Sequence, residues 1–249
     1  MSALDVETLR TAPDEAIDAL DDELRATVGH EWLRRADVEL TASSLTAKLV
    51  QGLLLDGATP EVIELATNAV GEEARHARVC HAVAERYLGR KLPYPRARRL
   101  EEARFGDAPP AVNRLLLFVL HSCVNETLAT VCLREGLKLA ASTVVKAATR
   151  ELLSDDLNHA RMGWAHLASP ALDDTARAHV GAALPVLLRL GRDGWLDEPR
   201  SGIDVPEHGV LGNPSFPPLL RAAFDDLILP GFDHVGVDTR PAREWYYSP

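Results

Sequence analysis

Two short units lie 83 residues apart in the chain, GEEARHAR over 71–78 and SDDLNHAR over 154–161. Each carries two adjacent acids and then a His three positions after the second acid. On a helix that spacing brings side chains onto one face, so Glu73 and His76 form one pair of metal-ligating groups and Asp156 and His159 another. A single pair of this kind is common on a solvated helix face. Two copies constrain the fold more: to act together, two helical segments far apart in sequence must lie side by side with these faces turned inward.

The rest of the chain supplies such segments. From about residue 12 to residue 193 apolar positions recur with helical period, and no run alternates as a half-buried strand would. Helices are expected over about 29–55, ending at Asp56-Gly57, and over about 60–88, opened by Pro60 after Thr59 and ended by Gly89. A loop rich in Pro and Arg follows (KLPYPRARR), then helices over about 111–138 and from Ser142 or Thr143 to just before Ser169-Pro170. A fifth helix is expected over about 171–192, a short one near 215–228, and a short amphipathic one near 13–27. The expected fold class is all-α: a four-helix bundle of two antiparallel hairpins, core about 29–168, with a fifth helix and an irregular C-terminal extension over about 169–249, all in one domain.

Depth within each hairpin selects further acids. Glu73 lies 16 residues after the turn at Gly57, and Glu39 lies 18 before it. Glu31 lies 26 before it, roughly 12 Å too far along the axis at 1.5 Å per residue, and reads as a surface acid. Around the second turn, near Ala141, Glu126 is 15 residues before and Asp156 is 15 after. Between Arg114 and Arg134, His aside, Glu126 is the only acidic or basic residue, and its helical face carries Leu115, Val119, Cys123, Thr130, Leu133 and Leu137. A carboxylate buried there unpaired would cost several kcal/mol, so a partner or a cation is expected. Two divalent ions would offset the four carboxylates Glu39, Glu73, Glu126 and Asp156, and would account for the two imidazoles, His76 and His159.

This set resembles the ferritin-like di-iron carboxylate superfamily, in which two helices each give a Glu and two others each give Glu-x-x-His. The stretches ELTAS, EEARHAR, NETLA and DDLNHARMGW, with PEHG in the tail, make the chain most similar to small bacterial ferritin-like-domain proteins. Asp156 departs from the Glu usual at that place, and Asn158 stands where the first unit has Arg75. The resemblance implies that Glu72 orients His159 and Asp155 orients His76, that Arg75 pairs with Asp155, and that Asn158 is left to hydrogen-bond Glu72. It further implies a catalytic role for Thr130, four residues after Glu126, beside the oxygen-binding side of the metals and assisting proton delivery. Bonding to its own helix is the plainer role for that hydroxyl. Cys80, one turn after His76, is either a pocket residue or core packing. Cys123 and Trp164 read as packing, His166 as a core or surface His rather than a ligand, and His208 as a turn cap.

With 27 basic and 37 acidic residues the chain carries a net charge of −10, which argues against nucleic acid or an anionic membrane as partner. The start has no apolar signal segment, and the near-apolar run 115–125 is too short to span a bilayer. Three cysteines without paired spacing agree with a reduced cytoplasmic setting. No nucleophile elbow, Walker A, dinucleotide fingerprint or C-x-x-C is present. The expected activity is that of a di-iron oxidase or oxygenase, with two Fe ions (or Mn/Fe) and O2 as co-substrate, acting on a small organic molecule. The alternatives are a ferroxidase or iron-storage protein and a non-enzymatic bundle. An electron donor is required but no motif identifies it, and a homodimer is compatible with such a bundle.

Overall fold

The computed structural model describes residues 5–99, 103–196 and 202–247. Short helices α1 (Val6–Thr11) and α2 (Glu15–Asp18) precede the long α3 (Asp22–Leu55) and α4 (Pro60–Leu88). A continuous rod follows, built from α5 (Pro110–Phe118), a π-helical stretch (Val119–Asn125) and α6 (Glu126–Leu139). Then come α7 (Thr143–Ala168), α8 (Asp174–Leu196), a 3-10 turn (Pro206–His208) and α9 (Phe216–Ala223). A second π-helical stretch (Phe224–Ile228) leads into α10 (Leu229–His234), and α11 (Arg240–Tyr247) closes the chain. Among the described residues the only β pairing is an isolated antiparallel bridge between Val205 and Val210, so the fold class is all-α.

The breaks between the long rods follow from local chemistry. Gly57 and Gly89 adopt left-handed φ values of 72° and 63°, which stop α3 and α4 where a side chain would be strained. Pro60 occupies the first turn of α4, where its missing N–H has no helical partner to lose. Ser142 caps α7 by accepting from Val145 N at 3.1 Å. Both turns are short, so α3 and α4 pack as one hairpin and the Pro110–Leu139 rod and α7 as the other. The hairpins meet chiefly through α4 and α7, the two helices that carry the twin motifs.

Several boundaries differ from the sequence reading. α3 begins at Asp22, capped by Asp21, rather than near residue 29, and the expected 13–27 helix is confined to Glu15–Asp18. The fifth helix runs over Asp174–Leu196, and the short tail helix continues through its π turn to His234. Helices α1 and α11 had no expectation attached. The Pro110–Leu139 rod is 30 residues long and its most apolar 18-residue window has a mean hydropathy of 1.6, long and apolar enough by composition to cross a membrane, unlike the shorter run singled out from sequence. Inside the bundle 61% of its most apolar window is buried.

The extension is tied back onto the bundle. Trp32 Nε1 donates to the His208 carbonyl at 3.0 Å, and the Tyr87 hydroxyl meets His208 Nδ1 at 2.7 Å. Ala141 N donates to the Glu207 carbonyl at 2.8 Å. The PEHG segment therefore fastens the tail across the bundle, a larger role than a turn cap, and His208 is buried.

Candidate metal centre

All six expected ligand side chains converge. On α4, His76 Nδ1 lies 3.8 Å from Glu39 Oε2 of α3, 3.8 Å from Glu73 Oε2 and 3.5 Å from Asp156 Oδ1 of α7. On α7, His159 Nδ1 lies 3.1 Å from Glu73 Oε1, 3.8 Å from Glu126 Oε2 and 3.4 Å from Asp156 Oδ1. Two overlapping groups have one ligand atom per residue within 4.8 Å of one another: Glu39, Glu73 and His76, and Glu73, Glu126 and His159. Glu73 belongs to both, and Asp156 lies between the two imidazoles. Both imidazoles and Glu73, Glu126 and Asp156 are buried, and Glu39 is half-buried.

The outer hydrogen bonds cross between the hairpins. His76 Nε2 pairs with Asp155 Oδ2 at 2.9 Å, and His159 Nε2 pairs with Glu72 Oε2 at 2.9 Å. A ring nitrogen facing a carboxylate must donate, so each Nε2 carries the proton. Each Nδ1 then turns toward the acid cluster, and neither has a hydrogen-bond partner although both are buried. In the empty cluster a second proton on each Nδ1 offsets the surrounding carboxylates, and a bound cation would take that proton's place. Arg75 braces the outer ring through ion pairs to Asp155 and to Glu151, the latter at 3.2 Å. Asn158 is exposed and makes no hydrogen bond to Glu72, so the second relay lacks the cationic brace of the first.

The titration of the cluster reflects this crowding. Burial pushes Glu39 up to about 7, against the opposing pull of its His76 contact. Burial likewise raises Glu126 well above its ordinary value, with Glu73 and Asp156 adding repulsion, and burial raises Asp156. Burial also acts to raise Glu73, but its contacts with His159 and His76 prevail and hold it low. Burial alone would lower both histidines; contacts led by Asp155 raise His76, and those with Asp156, Glu72 and Glu73 raise His159 to about 12. Without cations the chain therefore holds protons at this place, which is how buried like charges are tolerated.

A π turn prepares the position of Glu126. The Glu126 N–H bonds to the His121 carbonyl, five residues back. The wider turn carries His121 onto the face of Glu126, with Nε2 3.4 Å from Glu126 Oε1 and 3.1 Å from Thr46 Oγ1. Burial lowers the His121 pKa to about 4, so the ring is neutral near pH 7. Sequence reasoning passed over His121 because a five-residue step does not align side chains on an α-helix; a His inside an apolar run was the only signal. Such π turns recur at functional sites.

A cavity of about 480 Å³ opens onto the carboxylates. Glu39, Glu73, Glu126 and Asp156 floor it, Leu45, Ala129, Leu133 and Leu190 wall it, and Val210, Leu211 and Phe216 of the tail cover it. Two expectations are corrected here, for Glu31 and Thr130, and the choice left open for Cys80 falls to core packing. Glu31 is no surface acid: it is 9% exposed, pairs with Arg34 at 2.9 Å and lines the cavity that tail residues Val210, Leu211 and Phe216 also line. Thr130 is not among the residues lining the cavity; Asn125, Ala129, Cys132 and Leu133 form that wall, and the Thr130 hydroxyl is buried without a partner. Cys80 is fully buried in the core and does not line the cavity, and burial pushes its thiol well up.

The donor set could hold metal ions: it is carboxylate-rich, with one imidazole to each group and two unpartnered Nδ1 atoms facing inward. Comparison with protein-family models, curated proteins and solved structures finds no match to this chain.

Proposed function

We propose that the chain is a ferritin-like di-iron oxidase or oxygenase that uses O2 to oxidise a small organic molecule. The observation that carries this reading is the pair of buried, unpartnered Nδ1 atoms aimed at four carboxylates. Glu39, Glu73 and His76 would hold one iron and Glu73, Glu126 and His159 the other, with Asp156 close to both imidazoles. When bound, the metal pair supplies electrons to O2.

The chain's own contributions are distinct. Glu72 and Asp155 hold the imidazole protons on Nε2, leaving Nδ1 as the donor to metal. Loading replaces the protons that the empty cluster carries. Neutral His121, bonded to Thr46, lines the cavity beside Glu126, with its Nε2 3.4 Å from that carboxylate. The apolar walls and the fastened tail keep bulk water from the floor, where a substrate would be seated. The long tail with its own packed helices also favours a covered catalytic pocket over a storage-cage subunit.

Aerobic addition of Fe(II) to the metal-free chain tests the reading. Uptake is expected to saturate at about two irons per chain. Continued uptake of many irons would identify a storage protein, and no uptake would remove the metal-dependent reading altogether.

A further inference from the structure

The charged groups that line the cavity are almost all matched. Arg34 pairs with Glu31, and Arg98 pairs with Asp37 at 2.9 Å. The four carboxylates of the floor are matched by two divalent cations on the reading above, on which this inference rests. Arg35 remains. It lines the same cavity, is half-buried, and has no ion pair among the described residues. Its guanidinium carbon lies 4.7 Å from the centroid of the Trp32 ring. That contact positions the head without using its N–H donors. Trp32 is itself immobilised, 1% exposed and hydrogen-bonded to the His208 carbonyl.

We infer that the cavity binds an organic acid, with an apolar body against the aromatic and aliphatic walls and a carboxylate paired with Arg35. A loaded floor of zero net charge with one unmatched guanidinium beside it favours an anion over a neutral or cationic molecule. A fork of N–H donors held in place suits a carboxylate in particular. Arg35 lies one helical turn before Glu39, about 6 Å along α3. An acid seated there lays its body along the wall toward the floor rather than its head onto it. Trp195 and Phe216, stacked on each other, give that body an apolar surface.

The test is calorimetric titration of Zn(II)-loaded protein with naphthalene-2-carboxylate and with the matching neutral carboxamide. The acid is expected to bind tighter than the amide by on the order of tenfold. Arg35→Gln should abolish that preference while leaving amide affinity unchanged, and Arg35→Lys should retain part of it. Arg150→Gln, an exposed change outside the cavity, should behave as wild type. Unchanged amide binding by Arg35→Gln also shows that the variant has kept its cavity. Equal binding of acid and amide, a preference that survives Arg35→Gln, or binding of neither probe overturns the inference. Metal content is counted on the same samples. A chain that takes up two cations yet does not prefer the acid defeats this inference alone. A chain that takes up none defeats the metal reading, and this inference with it.

Discussion

Nε2 of His159, on α7, lies 2.9 Å from a carboxylate oxygen of Glu72, on α4. Its counterpart joins His76 of α4 to Asp155 of α7 at the same distance. Each hairpin thus orients the other's histidine, so the geometry of the centre depends on both hairpins being docked. Glu72→Ala and Asp155→Ala are each expected to weaken metal affinity by about 10–100-fold, read by competition with a chelator, with helix content by circular dichroism unchanged.

The depth argument for Glu39 over Glu31 has its own test. Glu39→Ala should remove at least one metal from the loaded chain, whereas Glu31→Ala should leave metal content intact, because Glu31 pairs with Arg34 instead of joining the cluster. Metal analysis of the two purified variants decides it; loss in Glu31→Ala with retention in Glu39→Ala would reverse the assignment.

Close packing at Gly163 makes a stability prediction. A Cβ there would lie 2.7 Å from Cys123 Sγ and 2.9 Å from the Cys123 backbone nitrogen. Both contacts belong to the π stretch, which cannot move without shifting Glu126. Gly163→Ala gains about 1 kcal/mol of helix propensity but meets about 1–3 kcal/mol of overpacking. A net loss of stability is expected in denaturant melts, together with weakened metal binding.

Asp14 gives the expected acid response. One of its oxygens accepts from Ser142 Oγ, Thr143 Oγ1 and Val144 N, and the other from Ile17 N, so one carboxylate caps α2 and helps cap α7. Burial opposes ionisation, but these bonds prevail and hold its pKa at about 2, against 3.8 for the free group. Folding therefore favours the ionised form. Its stabilisation is complete above the unfolded carboxyl range and fades as the pH falls through about 2. Asp14→Ala should cost about 1–3 kcal/mol near neutrality, and the difference from wild type should shrink between about pH 4 and pH 2 in urea melts.

The rods were legible in the sequence because Gly57, Pro60, Gly89 and Ser142 act locally, through φ and capping, and need no tertiary context. The six cluster residues were legible because helical rise converts residue number into depth. What escaped was decided by longer-range packing. Glu31 reads as a surface acid on α3 alone, yet it is buried and lines the cavity together with tail residues Val210, Leu211 and Phe216. Thr130 lies four residues after Glu126, yet Ala129 and Leu133 form the cavity wall there. His121 joins the site only through an insertion-like π turn that no periodicity announces. The fastening of His208 to Trp32 and Tyr87 joins residues more than a hundred positions apart and has no local signature.

The central claim is that six side chains from four rods hold two cations between the imidazoles of His76 and His159. Anomalous diffraction at the iron edge, from crystals grown anaerobically with ferrous salt, measures this directly. Two peaks are expected, one beside Nδ1 of each histidine, with Glu73 reaching both. Absence of peaks from that cluster, or iron bound only elsewhere on the chain, would contradict the account.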